Sequence, residues 1–328
     1  MNEVKSLSII IPVFNVEGYL DRCLRSVLAA PGIENSEIIL VDDGSKDKSG
    51  EIAESYAKKY EYIACYHINN AGPSEARNYG LSKSSGKYVC FFDSDDVVVP
   101  DVLSRIIRLI PSISVDIVLW DAEMINADNC HSKWRDSRFF VHFGLDENDG
   151  ILTGEQIVEK QLRIRGDYPS TVWLGAYKRE YLISNDLLFE VGILHEDELW
   201  GHKVLLEADS VIYVNLVLYH YCIRSGSLTH QLDSDCSNHI ESLLYVFSSL
   251  YNYCDTRLSS DELRRFVKAN LTKRYLYLIF EYDFCKWGFG DRVDCKELWN
   301  ASGRIKDKIK VLWLVFKRII YRSFRRRT

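Results

Sequence analysis

Acidic side chains are concentrated at one point in the first hundred residues. Three aspartates fall within four positions, Asp93, Asp95 and Asp96, with Ser94 among them, and the apolar run Tyr88–Phe92 comes directly before. Carboxylates this close repel one another unless a cation lies between them. Oxygen ligands without His or Cys suit a hard ion such as Mg²⁺ or Mn²⁺, which commonly bridges carboxylates to phosphate oxygens. The cluster therefore predicts a divalent metal and a diphosphate ligand.

Two more polar clusters stand at the ends of earlier apolar runs. The first comprises Pro12, Val13, Phe14, Asn15 and Glu17. The second is the segment Asp42–Ser45, which contains Asp43. Asp, Gly and Ser are also common in turns, because they satisfy the loop backbone. The second cluster is therefore open to two interpretations, a turn or a ligand site.

The elements that position these clusters follow from alternating apolar and amphipathic segments. Apolar runs predict strands at Leu7–Val13, Ile38–Val41, Ile63–His67, Tyr88–Phe92 and Ile117–Trp120. Amphipathic segments predict helices at Glu17–Ala29, Ser49–Tyr60, Ser74–Ser82 and Asp101–Ile110. This alternation predicts an α/β fold with a mostly parallel, doubly wound sheet. Such sheets bind ligands outside the carboxyl ends of their strands, where all three clusters fall.

The pattern is looser after residue 121. It predicts helices at Glu155–Arg163 and Asp197–Ala208 and a strand at Val211–Tyr221. Helices dominate further on, at Asn238–Tyr253, Asp261–Phe284 and Ile305–Arg326. We therefore expect two regions, a sheet domain over residues 1–230 and a helical region over residues 231–328.

Composition and charge exclude several classes of protein. With 328 residues, of which 47% are hydrophobic and 27% charged, the chain can bury a core and is not disordered as a whole. Its net charge of −6 argues against binding to nucleic acid. The nine cysteines form no CxxC pair, which favours reduced thiols. Because no signal-peptide pattern and no run of about eighteen apolar residues is found, we expect a cytoplasmic chain.

Other phosphate-binding motifs do not fit. Gly80–Tyr88 has the outline of a P-loop, but its spacing is one residue too long, and Tyr88 replaces the Ser or Thr that would hold magnesium. No GxGxxG follows the first predicted strand, which argues against a dinucleotide-dependent dehydrogenase.

Four segments together resemble the family-two glycosyltransferases. In chain order they are SIIIPVFNVEGYL, EIILVDDGSKDKS, NNAGPSEARNYGL and YVCFFDSDD, and a weaker similarity continues to about Thr229. The resemblance implies the GT-A nucleotide-sugar-binding fold, a UDP-sugar donor and inversion at the anomeric carbon.

The resemblance also implies roles for residues at the donor. Pro12, Val13 and Phe14 would border the nucleotide base, with Asn15 and Glu17 in the same donor site. Asp43 would contact the uracil, and Arg77 would help to hold the nucleotide. Asp93–Ser94–Asp95 corresponds to the family's DxD element, with Asp93 near the ribose and the metal and Asp95 on the metal.

A catalytic base is expected in the acidic segment His195–Glu198. Inversion by direct displacement needs a carboxylate on the face opposite the leaving diphosphate. Acids also favour the first turn of a helix through its dipole, so this segment has a structural explanation too. The resemblance assigns Asp197 as the base and Glu196 as its neighbour on the acceptor side.

Three further predictions concern the leaving group and the acceptor. Tyr221–Thr229 resembles the family's closing segment, which makes Arg224 the candidate clamp on the diphosphate, with Ser227 and His220 as weaker members. Trp173 and Lys178 lie in a stretch that borders the acceptor in relatives. An aromatic face suits a sugar ring, although a Trp in the core is the alternative.

The end of the chain carries a basic amphipathic helix. Ten basic residues stand against one acid from Arg304 to Thr328, a charge of +9 that leaves −15 on the remainder. Apolar residues share one face at helical spacing, namely Ile309, Leu312, Trp313, Phe316, Ile320 and Phe324. The pattern predicts a helix lying in an anionic membrane interface. The alternative is a helix docked on the domain with a solvated basic face.

Together these patterns favour an inverting glycosyltransferase with Mn²⁺ or Mg²⁺. It would move a hexose from a UDP-sugar to a lipid-diphosphate-linked glycan, at the inner membrane face, in capsule, exopolysaccharide or O-antigen synthesis. Two alternatives stay open, a sugar nucleotidyltransferase and an inactive nucleotide-sugar-binding or scaffold protein. The first would need a glycine-rich basic loop after the first strand, where PVFNVE stands. A homo-oligomer is also left open.

Overall fold

The computed structural model describes residues 5–126, 140–223 and 236–325. Its strands are β1 (Leu7–Val13), β2 (Glu37–Asp42), β3 (Ile63–His67), β4 (Tyr88–Phe91), β5 (Val97–Val98), β6 (Ile117–Asn126), β7 (Gly175–Lys178) and β8 (Val211–Ile223). Its helices are α1 (Leu20–Leu28), α2 (Ser49–Lys59), α3 (Pro73–Lys83), α4 (Pro100–Leu109), α5 (Gly154–Ile164), α6 (Arg179–Ser184), α7 (Glu196–Leu206), α8 (Ser237–Arg257), α9 (Asp261–Glu281), α10 (Cys295–Ala301) and α11 (Ile305–Arg325). Short 3₁₀ turns lie at Ile33–Asn35, Ile110–Ser112, Glu147–Asp149 and Gly290–Arg292.

All eight strands form one sheet in the order β3-β2-β1-β4-β7-β6-β8-β5. The pairs β1–β2, β1–β4, β2–β3 and β6–β8 are parallel, so the prediction of a mostly parallel α/β sheet is confirmed. Two short strands were not predicted and run antiparallel to their neighbours. β7 lies between β4 and β6, and β5 pairs with β8 at one edge.

The central strands are apolar along their length because helices cover the sheet. In β1, every residue except Pro12 is buried. Helix α3 lies directly on β1, since a Cβ on Gly80 would come within 2.4 Å of the Ile10 side chain. Only glycine permits this approach, and it sets the position of α3 and therefore of Arg77.

The helices after residue 236 pack on the sheet domain instead of standing apart from it. Asn270 of α9 donates to the Gly166 carbonyl at 3.1 Å, and the Ser259 amide donates to Glu155 of α5 at 2.9 Å. The predicted boundary near residue 230 falls outside the described residues, and the division into two regions stays a prediction.

Two predictions about compartment can be compared with the fold. The eight cysteines in the described parts are all free thiols. Within residues 5–126, 140–223 and 236–325, none of the helices combines the length and the apolar character that crossing a bilayer requires.

Candidate active site

The loops after β1 and β2 are bound to each other. The Asn15 side chain accepts the Lys46 amide at 2.8 Å, and the Glu17 carboxylate accepts the Lys48 amide at 2.9 Å. Asn15 adopts a φ of 50°, a conformation that Asn tolerates better than most residues. Both predicted donor residues therefore shape the rim through backbone contacts. Beside them the Phe14 ring is exposed, whereas Val13 is buried in the core.

Asp43 lies at the carboxyl end of β2, as predicted, and is buried. Its two carboxylate oxygens accept the amides of Ala71 and Gly72 at 2.7 and 2.8 Å. Asp43 thus fixes the turn before α3, where Gly72 has a φ of 91°. Each oxygen keeps a second lone pair, so the turn and the ligand interpretations remain compatible.

The acidic cluster after β4 separates into different environments. Asp96 is buried and accepts the Tyr219 hydroxyl at 2.7 Å and the Cys222 amide at 2.6 Å. The same hydroxyl accepts the Asp93 amide at 3.0 Å. Burial, reinforced by the charges of Asp95 and Asp93, raises the pKa of Asp96 well above its usual range. Asp96 therefore acts as a structural anchor between the β4 end and β8, while Ser94 is buried beside it.

The residues fit a metal that arrives with a diphosphate better than a resident ion. Asp95 is partly exposed at the rim, and its backbone carbonyl accepts Arg22 at 3.0 Å. Within the described residues, no three His, Cys, Asp or Glu side chains converge as a metal cage. Mg²⁺-like ions are often held by one or two carboxylates, with phosphate oxygens and water completing the shell. Asp95 and Asp93 supply that kind of donor set.

Arg77 joins the acidic cluster to the start of α7. Its guanidinium donates to Asp93 at 2.9 Å and to Glu196 at 2.7 Å, and it lies 5.4 Å from the Phe189 ring centre. Burial disfavours its charge, but the two carboxylates outweigh this and raise the pKa of Arg77. Arg77, which the family resemblance assigns to nucleotide binding, is thus already paired with two carboxylates of the protein. Local sequence gives no signal for this, because Arg77 and Glu196 are 119 positions apart.

Asp197 lies in the first turn of α7, between two acids that are already paired. Glu196 binds Arg77, and Glu198 binds Arg274 of α9 and, at 3.3 Å, His202. Burial opposes ionisation of Glu198, but Arg274 and His202 hold its pKa well below the usual range. For Asp197, burial together with the charges of Glu196 and Glu198 raises the pKa to about 7, against the opposing effect of Arg77. A carboxylate that titrates near neutral pH suits a general base.

His195, the residue before Glu196, sets the backbone conformation at the start of α7. His195 has a φ of 62°, and its Nε2 lies 3.2 Å from Nδ1 of His239 on α8. Tyr282 packs against both rings, with centroids at 6.0 and 5.3 Å. His195 therefore packs against Tyr282 and lies at hydrogen-bond distance from His239, a partner that the sequence did not indicate.

The two predicted acceptor residues lie in different surroundings. Trp173 is 4% exposed and stacks on Tyr219 at 4.6 Å, so the core alternative describes it. Lys178 pairs in register with Tyr88, at the opposite end of β4 from Asp93. Five residues of strand correspond to about 16 Å. The acceptor role of both residues stays a prediction, and in this structure Trp173 supports Tyr219 and, through it, Asp96.

The segment predicted to close over the diphosphate is only partly described. Arg224 and Ser227 lie outside the described residues. His220 is partly exposed on β8. It pairs in register with Val97 of β5, the residue that directly follows the acidic cluster in the sequence. Tyr219 was missed, because a tyrosine in an apolar strand has no local feature that indicates a carboxylate partner.

A mostly parallel sheet with helices on its faces and the acidic segment Asp93–Asp96 after β4 has the GT-A architecture. Over 98% of this chain and 92% of the other, it superposes on residues 1–349 of Staphylococcus aureus TarS in complex with UDP-GlcNAc, with a TM-score of 0.73 and 19% identity. Residues 8–169, about half of the chain, match the family described as glycosyl transferase family 2.

Relatives of known sequence support the same family. The chain is 31% identical over 229 residues to the uncharacterized glycosyltransferase YibD of Escherichia coli K12, which covers 70% of this chain and 64% of YibD. It is 41% identical over 103 residues to the minor teichoic acid biosynthesis protein GgaB of Bacillus subtilis 168, which covers 31% of this chain and 11% of GgaB. The similarity thus spans less than two thirds of either relative.

Proposed function

We propose that this chain is an inverting glycosyltransferase that moves a hexose from a UDP-sugar to a glycan acceptor carried on a lipid diphosphate. One observation carries the proposal. Arg77 ties Asp93 of the DxD segment to Glu196, the neighbour of Asp197. A site suited to a metal diphosphate and a carboxylate with a pKa of about 7 are therefore joined through one buried side chain.

The chemistry follows from these positions. The acceptor hydroxyl oxygen attacks the anomeric carbon while the bond from that carbon to the UDP oxygen breaks and its electron pair leaves with UDP. Asp197 accepts the proton of the hydroxyl. Because the hydroxyl oxygen attacks on the face opposite the leaving UDP, the new glycosidic bond forms with inverted configuration. Mn²⁺ or Mg²⁺, bound by Asp95 with Asp93, would neutralise charge on the diphosphate. Arg77 holds Asp93 and Glu196, the neighbours of Asp95 and Asp197, in place.

The comparisons support the donor and the pathway class. TarS was crystallised with UDP-GlcNAc, which favours a UDP-sugar as the donor here. The name of GgaB refers to teichoic acid biosynthesis, which favours a surface polysaccharide as the product. A lipid-linked acceptor would place the chain at the inner face of the cell membrane.

A UDP-release assay distinguishes this proposal from its two alternatives. We expect UDP to form from a UDP-sugar only when Mn²⁺ or Mg²⁺ and a lipid-diphosphate glycan acceptor are both present. Pyrophosphate release from UTP and a sugar 1-phosphate would instead identify a nucleotidyltransferase. Donor binding without turnover across a panel of UDP-sugars and acceptors would identify an inactive binding protein.

A further inference from the structure

Helix α11 has two faces of different character. Its docked face carries Asp307, Val311 and Leu314, which are buried. Exposed apolar side chains form a second set, Ile305, Ile309, Leu312, Trp313, Phe316 and Ile319. At about 100° per residue, this second set falls within an arc of about 120° on the opposite side of the helix from the docked face. We call these six residues the apolar stripe.

The apolar stripe is the main concentration of exposed apolar surface in the described parts of the chain. Seven of the sixteen large exposed apolar side chains there lie on α11. Trp313 and Phe316 stack at 5.3 Å, and they are 51% and 50% exposed. Clustered apolar exposure of this kind indicates an interaction surface, whereas isolated exposed residues do not.

Positive charge borders the apolar stripe on both sides. The helical spacing puts Lys306 and Lys310 along one edge and Lys308 along the other. The Lys308 ammonium lies 5.2 Å from the ring centre of Trp299, an exposed residue of α10. The acid of this segment, Asp307, is buried in an ion pair with Arg304 at 2.6 Å. The described edges of the stripe are therefore basic.

We propose that the apolar stripe lies in the interfacial region of an anionic bilayer, with α11 parallel to the membrane plane. Apolar side chains would enter the acyl boundary while the lysines extend to lipid phosphates. A helix of 21 residues is about 31 Å long, so the contact between α11 and the bilayer would run along a comparable length. A second copy of the chain is a poorer occupant, because a symmetric dimer would bring the lysines of both copies together.

Because the docked face and the apolar stripe lie on opposite sides of α11, the helix can pack on the rest of the protein and contact a membrane at the same time. Val311 and Leu314 anchor the helix, Lys317 reaches Asp283 at 3.2 Å, and Arg318 donates to the Val293 carbonyl. The stripe is thus joined to the body of the protein by these contacts, and membrane binding would orient the described parts of the chain with it. The inference rests on the proposed function only in that a lipid-linked acceptor would lie at the same surface.

Vesicle sedimentation of the full-length chain without nucleotide tests the proposal. We expect binding to vesicles that contain phosphatidylglycerol, weaker binding at high salt, and little binding to phosphatidylcholine alone. Trp313→Glu with Phe316→Glu should weaken binding by about tenfold or more, because two charges would enter the apolar boundary. The matched control, Ile151→Glu with Ile164→Glu, changes residues that are 65% and 60% exposed elsewhere and should bind as the unsubstituted chain does.

Two results would overturn the proposal. One is equal sedimentation of the stripe variant and the unsubstituted chain, or no sedimentation of either. The other is a lipid-free dimer, seen by analytical ultracentrifugation, that the stripe variant converts to a monomer, since a second copy would then be the occupant. Calorimetric binding of UDP with Mn²⁺, measured on the same preparations, tests the proposed function separately, because no stripe residue belongs to the candidate active site.

Discussion

The three consecutive acids at the start of α7 lie in different electrostatic environments, because their ion-pair partners differ. Glu196 is paired with Arg77 and Glu198 with Arg274, and neither of these arginines pairs with Asp197 in the described structure. The two paired acids still raise the pKa of Asp197 by their charge, in addition to burial. An acid that is ionised near neutral pH yet retains affinity for a proton is thereby obtained from an ordinary aspartate.

Asp197→Asn should retain donor binding and lose about 10²–10⁴-fold in transfer rate, as expected when a general base is removed. The pH dependence has a defined sign. A base must be deprotonated, so kcat/KM of the unsubstituted enzyme should rise with pH up to about 7 and level off above it. Steady-state kinetics of UDP release from acid to alkaline pH are the measurement. Normal turnover by the Asn variant would transfer the role to Glu196 or another acid.

Asp95→Asn should abolish the contribution of Mn²⁺ to UDP binding and leave the fold intact, because only one carboxylate charge at the rim is removed. Since no cage exists in the described residues, Mn²⁺ alone should bind weakly to the unsubstituted chain. Calorimetry with UDP, Mn²⁺ and both together measures this. Asp101→Asn, an exposed acid on α4, is the matched control. Unchanged affinity in Asp95→Asn would remove Asp95 from the metal site.

The sequence pattern predicted where the acidic residues lie, but not that they have different roles. Asp93, Asp95 and Asp96 were predicted together because they directly follow an apolar run. That Asp96 binds Tyr219 depends on the pairing of β5 with β8, across 123 positions. Long-range pairing of this kind is decided by packing of the whole sheet, and local residue patterns carry little information about it.

At the scale of elements, the length and apolar character of each strand decided whether it could be predicted. The strands β1, β2, β3 and β4 have four to seven residues of nearly continuous apolar character and were found close to their observed ends. β5 has two residues, too few to show a periodicity, and β7 (GAYK) is as short as β4 but lacks its continuous apolar character. Yet β7 separates the two parallel parts of the sheet, and it carries Lys178 away from the site.

Arg77 couples two elements, the β4 end and α7, so its removal should affect both stability and catalysis. Arg77→Met leaves Asp93 and Glu196 without their shared partner and should cost about 3 kcal/mol of unfolding free energy. It should also move the rise of kcat/KM to higher pH, since Arg77 lowers the pKa of Asp197. Urea unfolding and the pH profile measure the two effects.

The matched control is Arg25→Met, which breaks an exposed pair with Asp21 and should change neither quantity. A pH profile that does not move in Arg77→Met would restrict Arg77 to a structural role. A large rise in KM for the donor with kcat unchanged would instead support the nucleotide contact that the family resemblance implies.

On the scale of the whole molecule, the C-terminal helices extend the sheet domain. Arg274 of α9 binds Glu198 next to Asp197, and Ser242 of α8 accepts the Leu194 amide at 3.0 Å just before α7. The helical region therefore supports the segment that carries the proposed base. The sequence pattern of each region could predict the helices of that region. It could not predict that α8 and α9 contact the segment that carries Asp197.

The last prediction separates the two faces of α11 within one helix. Leu314 is 1% exposed and Leu312 is 57% exposed, and both are leucines two positions apart. Leu314→Ala should cost about 2–5 kcal/mol of unfolding free energy by leaving a cavity, whereas Leu312→Ala should cost little, because its side chain faces solvent. Vesicle binding should respond in the opposite way at a temperature where both variants are folded, with Leu312→Ala weakened and Leu314→Ala retained. Urea unfolding and vesicle sedimentation of the two variants provide the comparison. Equal losses of stability would mean that α11 is not docked as described, and equal vesicle binding would mean that Leu312 does not contact the bilayer.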